Sequence, residues 1–585
     1  MDATAISKLA AKTGFAILRD GPNWRIYRNP IQILAAHDTD SIHETLHLIE
    51  QHVKLGGEAA GFFSYEAGYA LEARLQPLLT RTKSPLCFFG LYEACSILKR
   101  APFDKSTADN LLQQPQLQIK YDQYRARLAA IRQLIENGEV YQINFTTSLQ
   151  FKTKLRAWEL FRSLFCRQPA PYAAFLNVGA QQIISLSPES FFQIDRDRIT
   201  VRPMKGTAAR GLTLERDTVR GKELRASEKN RAENVMIVDL LRSDLGRICR
   251  IGSVKTQKLF EVQRFPSLWQ MTSEIQGLLA VGWTIPGVVR ALFPSGSVTG
   301  APKIRAMEHI AKLEDSPRGV YTGAIGFFAP GRSSFNVAIR TVALEGDTGK
   351  MGVGSGITYD SSPSNEWEEC AWKTAFLTQK HPNFELIETM LWDSDYKFLN
   401  QHLSRMRDSA KYFGFQFSGS RIRNALAEIG RRFEEVAQRV RVTLARDGKF
   451  EISHTAVKTE WFGRVRISEK TVSSKDPFLY HKTTNRRVYE EELAAARTAK
   501  CDDALFLNER GELTEGAIHN VFVAKNGIWR TPAVACGLLQ GTHRSRILRK
   551  VPNACVAILT LRDLVHADRI YLCNSVRGIS AVELV

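Results

Sequence analysis

The sequence runs to 585 residues, 44% hydrophobic and 24% charged, with a net charge of +19. That length exceeds one ordinary hydrophobic core, so two or more domains are expected. No apolar run reaches about 18 residues, and Met1-Asp2-Ala3-Thr4 opens without a basic stretch leading into an apolar core. Neither a membrane span nor a secretory leader is predicted, and a cytoplasmic location is expected. The nine cysteines are scattered and none forms Cys-x-x-Cys, so no disulfide framework or zinc site is predicted. Lysine and arginine are spread along the chain, and clusters such as Arg431-Arg432 and Arg486-Arg487 are only pairs. That distribution suits anionic small molecules better than nucleic acid, which is not expected as a partner.

In chain order, residues 1 to about 115 show no spacing that demands chemistry. Tyr121 to Asn137 reads as an amphipathic helix. Gln182 to Thr207 reads as a hairpin, with arms Ile183-Ile184-Ser185-Leu186 and Ile199-Thr200-Val201 and a turn at Asp195-Arg196-Asp197-Arg198. Helices are predicted over Lys229 to Leu245 and Glu366 to Leu377. A joint falls near Gln379-Lys380-His381-Pro382-Asn383, because a proline disfavours helix at the residue before it. Phe384 to Trp392 alternates like a strand, and Val521 to Arg530 with Asn526-Gly527 at its centre reads as a second hairpin. The fold class is α+β, with units at 1–380 and 384–585.

Three groupings suggest chemistry. Glu189 and Lys205 are symmetric about the predicted turn, so a true hairpin would set them roughly opposite each other. Such a pair can supply a general acid and an amine nucleophile, or be a plain cross-strand ion pair. Glu366, Glu369 and Lys373 share one helix face by spacing, either as a solvated Glu–Lys pair or as oxygen ligands for Mg²⁺. Arg340 can grip a carboxylate through two parallel hydrogen bonds. Gly354-Ser355-Gly356 offers backbone N–H groups, or simply a tight turn; with no helix directly after it, it is not a dinucleotide fingerprint.

"SLSPES", "PMKGT", "RAENVMIVDL", "FPSGSVTGAPK", "FNVAIRT", "GVGSGI" and "EWEE" fall in one order between Ser185 and Glu369. Together they resemble the chorismate-utilising enzymes. Lys205 resembles the aminodeoxychorismate synthase branch, where anthranilate synthases carry Ala. Gln270 stands where anthranilate synthases carry a His linked to pyruvate elimination. The resemblance implies Glu189 as general acid and Lys205 as nucleophile. It implies Glu233 and Glu369 as magnesium ligands with Glu366 nearby, and Arg340, Thr299, Tyr321, Gly354, Gly356 and Lys373 as substrate contacts. Chorismate and ammonia are the implied reactants. No glutamine amidotransferase unit or nucleophile-elbow cysteine is evident, so a separate glutaminase partner or free ammonia is expected.

From Phe384 onward, "QHLSRM", "YHKTTNR", "LTEGAIHNVF", "TP" and "GLLQGTHR" resemble the fold-type IV pyridoxal-phosphate enzymes, a group that includes aminodeoxychorismate lyases and branched-chain and D-amino-acid aminotransferases. The resemblance implies Lys482 as the residue bonded to pyridoxal 5'-phosphate and Glu515 on its pyridine nitrogen. It implies Arg405 on the phosphate, with help from Ile518, His519 and Thr542. Such enzymes usually carry a strand-rich segment before the "FELIET"-like strand; here that strand begins directly after Pro382, so either the first unit supplies the piece or the second site is less complete. They also often pair their subunits, so a homodimer through the second unit is an expectation. Fusion to the first unit favours a lyase, which would release pyruvate and 4-aminobenzoate. The rival readings are an anthranilate or isochorismate synthase fused to an aminotransferase-like domain, and a non-catalytic relative.

Overall fold

The computed structural model describes residues 3–80, 84–103, 111–265, 268–378, 383–433, 436–457 and 461–585. They form a mixture of helices and largely antiparallel sheets. The chain divides into two compact units. The first is Met1–Ala208 with Glu223–His381; the second is Ala209–Lys222 with Pro382–Val585. The joint predicted at 379–383 lies outside the described residues except for Asn383. No helix among the described residues is long and apolar enough to cross a membrane.

The first unit contains two ten-stranded sheets. Leu18, Ala174 and Ile183 of one sheet share a core with Phe62, Phe88 and Phe327 of the other, so the two sheets pack face to face. Neighbouring residues then point to opposite sides, as the strand period of two requires. Ile184 joins Phe161 and Leu164 of the helix Ala157–Arg167. Phe63 joins Ile42 and Leu46 of the helix Thr39–Lys54. Burial on both faces explains the continuous apolar runs "GFF" and "AAFL". The predicted helices form over Tyr121–Glu136, Glu228–Gly246 and Pro363–Thr378. Tyr124, Leu128 and Ile131 make the buried stripe of the first.

The hairpin around residue 197 exists, but its first arm is not the predicted one. Ser190–Asp195 pairs with Arg198–Arg202, with Asp195 opposite Arg198. Ile183 to Leu186 belongs to the other sheet, in Gln181–Ser187. The chain changes sheets at Pro188, which has no N–H to continue a ladder. Glu189 therefore stands at the crossing point, and Lys205 lies on a further strand, Met204–Ala209. The two are not directly opposed cross-strand partners.

In the second unit a four-stranded antiparallel sheet carries Leu386–Asp393 beside Gln438–Leu444. Met390, Val440 and Val442 pack on Leu403, Met406, Ile422 and Leu426 of the helices Leu399–Phe413 and Gly419–Gly430. An eight-stranded mixed sheet includes the predicted hairpin, with Lys525 opposite Ile528. Asn526 and Gly527 both have positive φ, 51° and 75°, the left-handed pair a two-residue hairpin turn needs.

Ala209–Lys222 is the departure from a single cut between domains. Arg210 forms a buried ion pair with Asp217 at 2.7 Å. It donates to the Tyr412 carbonyl at 3.0 Å, and its guanidinium lies 4.4 Å from the Tyr412 ring centroid. Tyr412 in turn stacks on His481 at 4.4 Å. A segment from within the first domain's sequence thus completes the second unit, opening the helix Leu214–Ala226 rather than adding a strand.

Candidate active sites

In the first unit Glu189 is buried and accepts a 2.7 Å hydrogen bond from the Ser297 hydroxyl. Burial pushes its carboxyl up to about 7, against the opposing pull of that hydrogen bond and of the Lys205 and Lys373 cations. A carboxyl half-protonated near neutrality is matched to general acid work. Lys205 Nζ lies 3.6 Å from Glu233 Oε2. Its backbone is held by Asn234 Nδ2, which donates to the Lys205 carbonyl at 3.4 Å, and by Gln270 Nε2, which donates to the Gly206 carbonyl at 3.0 Å. A Cβ on Gly356 would collide with Lys205 Nζ, so that glycine makes room for the amine.

Gly354 and Gly356 do not form a turn. They lie in the strand Thr348–Ile357, paired with Thr146 and Asn144. The Gly354 carbonyl accepts from Lys373 Nζ at 2.7 Å. Lys373 also pairs with Glu369 at 2.6 Å. Burial works against the Lys373 cation, but Glu369 outweighs it and raises the ammonium above its usual range. Glu369 is half-buried, and although burial opposes it, Lys373, followed by Lys205, holds its carboxyl below the ordinary carboxylate range. Arg340 sits in left-handed backbone at φ 50°. Burial brings its guanidinium down to about 10, the state of a cation without full compensation. Tyr321 packs against Gly352, and burial raises its phenol. Thr299 is fully buried, with its hydroxyl donating to the Ser295 carbonyl at 3.2 Å.

The expected set of three carboxylates is not assembled. Glu366 accepts from Ser361 Oγ at 2.8 Å, tied to the turn that opens its helix. Among the described residues no group of three or more His, Cys, Asp or Glu is poised to hold a metal. Glu233 nevertheless pairs with Lys205, and Glu369, from a different helix, feels the Lys205 charge. Their oxygens are the donor type a hard divalent cation takes, with water completing its shell.

Gln142 was missed by sequence reasoning. It is fully buried, neither end of its amide has a hydrogen-bond partner, and a Cβ on Gly356 would lie 2.7 Å from its Nε2. An unsatisfied buried amide costs stability and calls for an explanation, and here it borders Lys205. One glutamine in the strand Gln142–Lys152 carries no spacing signal.

In the second unit Lys482, Arg405, Glu515, Ile518, His519 and Thr542 all line one cavity of about 710 Å³. Lys482 immediately precedes Thr483, which bridges to Leu386, and its carbonyl accepts from Ile387 N at 2.9 Å. Burial, then Arg486 and Arg405, brings its amine down to about 7. Burial pushes Glu515 up to about 8, and Asn520 Nδ2 and Leu539 N donate to its two oxygens at 2.9 and 3.0 Å. Arg405 forks onto Glu388 at 2.8 and 2.7 Å, and His402 shares that carboxylate at 2.6 Å. Thr542 starts the helix Thr542–Lys550, whose free N–H groups favour an anion. Ile518 and His519 depart from expectation: both backbone N–H groups donate to Asp503 Oδ2 at 3.1 Å, as does His519 Nδ1 at 2.7 Å. These groups fit pyridoxal phosphate: a cavity of sufficient size, an amine about half neutral near pH 7, an anchored acid and a helix start suited to an anion.

Residues 12–379 match the family model for chorismate binding enzymes, and residues 385–585 match that for amino-transferase class IV. An aminodeoxychorismate synthase from Streptomyces griseus is 43% identical over 258 residues, 44% of this chain and 36% of that protein. Aminodeoxychorismate synthase component 1 from Bacillus subtilis (strain 168) is 37% identical over 271 residues, 46% of this chain and 57% of that protein. The chain thus spans less than two thirds of the length of each. The crystal structure of anthranilate synthase component I from Streptococcus pneumoniae TIGR4 superposes with a TM-score of 0.51 at 28% identity, covering 63% of this chain and 91% of that one. With well over half its length matched by one family model, and a fold-type IV aminotransferase-like domain following, the chain belongs to the chorismate binding enzymes.

Proposed function

We propose that the first unit aminates chorismate at C4 and that the second releases pyruvate from the product to give 4-aminobenzoate, a precursor for folate. The observation that carries this reading is Glu189, a buried carboxyl brought to about 7 by its burial, with the Lys205 amine close enough for its charge to act on it. Glu189 protonates the departing C4 hydroxyl, which leaves as water, while the Lys205 amine bonds to C2. Ammonia then bonds to C4 and the C2–N bond to Lys205 breaks, which returns the amine. Arg340 and the Lys373 end of the site suit the two carboxylates of chorismate. Glu233 and Glu369 would hold Mg²⁺, which would neutralise the ring carboxylate.

Pyridoxal phosphate, when bound, supplies the electron sink of the second reaction. Lys482 would bond to it and, once displaced by the substrate amine, move protons to and from the ring and the leaving pyruvate. Glu515 would share a proton with the pyridine nitrogen, and Arg405 and the Thr542 helix start would face the phosphate. A glutamine amidotransferase subunit would supply the ammonia, in the cytoplasm, and the second unit would pair with a second copy of itself.

Purified protein incubated with chorismate, ammonium and Mg²⁺, with and without pyridoxal phosphate, tests this by product mass. 4-Aminobenzoate and pyruvate formed only with the cofactor are expected. Aminodeoxychorismate persisting with the cofactor would remove the lyase, and anthranilate or isochorismate would remove the reading of Lys205.

A further inference from the structure

The strand Gln438–Leu444 alternates strictly. Val440, Val442 and Leu444 are buried in the core, while Arg439 and Arg441 project from the opposite face and are exposed. That face borders the cavity that holds Lys482. Arg441 lies in register with Thr389 on one side and Ser453 on the other, and Arg439 with Thr455. A third arginine, Arg577, reaches the same cavity from the turn between Arg569–Asn574 and Gly578–Leu584. That turn is pinned by Asn574 Oδ1, which accepts from Arg577 N at 2.8 Å. The Arg577 guanidinium lies 5.9 Å from the Trp461 ring centroid, and its Nη1 is buried without a hydrogen-bond partner.

Among the described residues none of the three arginines forms an ion pair, whereas Arg405 in the same cavity is forked onto Glu388. Burial, then the like charges of Arg497 and Arg439, lowers the Arg577 pKa against the opposing pull of Asp502 and Asp503. None of the three guanidiniums is held by a direct carboxylate contact among the described residues, and the buried Nη1 of Arg577 is left without a partner, so an arriving anion gains charge-assisted hydrogen bonds there. Guanidinium groups match carboxylates through paired hydrogen bonds. A cavity built for an apolar amino acid would present an apolar wall at this position.

We infer that Arg439, Arg441 and Arg577 form the acid-binding wall of the second site, and that it selects an amine whose carbon skeleton carries two carboxylates away from the nitrogen. This rests on the reading of the second unit as acting on the first unit's aminated product. With the amine directed to Lys482, the ring carboxylate and the enolpyruvyl carboxylate of that product are the groups left to meet the wall. The three arginines act as binding and positioning residues and take no part in proton movement.

The test uses the full chain loaded with pyridoxal phosphate and the amine-free probe 3-(carboxymethoxy)benzoate, with phenoxyacetate and benzoate as single-carboxylate controls. Binding is read from Trp461 fluorescence, with Trp461→Phe assigning the signal, and from the cofactor's visible absorbance. Arg441→Gln and Arg577→Gln are each expected to weaken the dicarboxylate about tenfold or more, the scale of one lost charge-assisted contact. Cofactor loading is expected to stay unchanged, and the KM for aminodeoxychorismate to rise while kcat moves less than about threefold. A dicarboxylate affinity unchanged in the triple variant Arg439→Gln, Arg441→Gln, Arg577→Gln would overturn the inference, even if 4-aminobenzoate still forms. Affinity lost in the variants while the unaltered chain makes no 4-aminobenzoate would keep the wall and remove the lyase reading.

Discussion

The Ser297 hydroxyl donates to Glu189 Oε1 at 2.7 Å, yet burial still carries this carboxyl up to about 7. An unfolded glutamate titrates near 4.5. Below that pH both states hold the proton and nothing is lost. As pH rises towards 7 the unfolded chain ionises while the folded one resists, so the cost to stability grows and is complete above 7. Glu189→Gln, which can keep the Ser297 contact, should stabilise the first unit by on the order of 1–3 kcal/mol at pH 8 and leave it unchanged at pH 4. Thermal unfolding at the two pH values measures this. Amination should fall about 10²–10⁴-fold in the same variant, and in the unaltered enzyme it should decline as pH rises through about 7.

Lys205 should be covalently modified during turnover. Intact-mass measurement after mixing with chorismate and no ammonia should reveal an adduct of chorismate less water, absent from Lys205→Ala. Lys205→Arg should not restore amination, because a guanidinium stays protonated and is no nucleophile at neutral pH. An adduct persisting in the alanine variant would assign the attack to another residue.

Gln142 should be a substrate contact. Gln142→Leu removes two unsatisfied buried polar ends and so should hold or raise thermal stability. It should also raise the KM for chorismate or lower kcat by about tenfold. Unaltered kinetics would make the unpaired amide a purely structural feature.

Lys482→Ala should lose the visible absorbance gained on adding pyridoxal phosphate. Because burial brings this amine down to about 7, the folded state resists protonation. The cost is absent above the ordinary lysine value of 10.5, grows as pH falls, and is complete below about 7. In the cofactor-free protein Lys482→Met should therefore raise the melting temperature more at pH 6 than at pH 10.

The Arg210–Asp217 pair should hold the second unit together. Both side chains are almost fully buried, at 8% and 1% exposure, and removing one partner strands the other charge at a cost of about 3–5 kcal/mol. Arg210→Met should lower the melting temperature and weaken pyridoxal phosphate retention, because Tyr412 backs the histidine next to Lys482. Arg210→Met with Asp217→Leu should recover much of the loss.

The sequence by itself determined the local and the strongly patterned features. The helix around Tyr124, Leu128 and Ile131, the Asn526-Gly527 hairpin and the ordered motifs that carry Lys205, Lys482 and Glu515 were all legible, because periodicity, turn chemistry and motif order are properties of nearby residues. Tertiary structure alone decided four things. Glu189 reaches its site by a change of sheet at Pro188 rather than across a hairpin, since strands buried on both faces leave no alternation from which to read their partners. Glu366 is tied to Ser361 while Glu369 pairs with Lys373, because helix spacing places a carboxylate on a face without saying which neighbour neutralises it. Ala209–Lys222 completes the second unit, and Gln142 borders Lys205, through contacts between residues far apart in the chain. Such contacts leave no periodic trace in a single sequence, because they depend on which surfaces the folded backbone brings together.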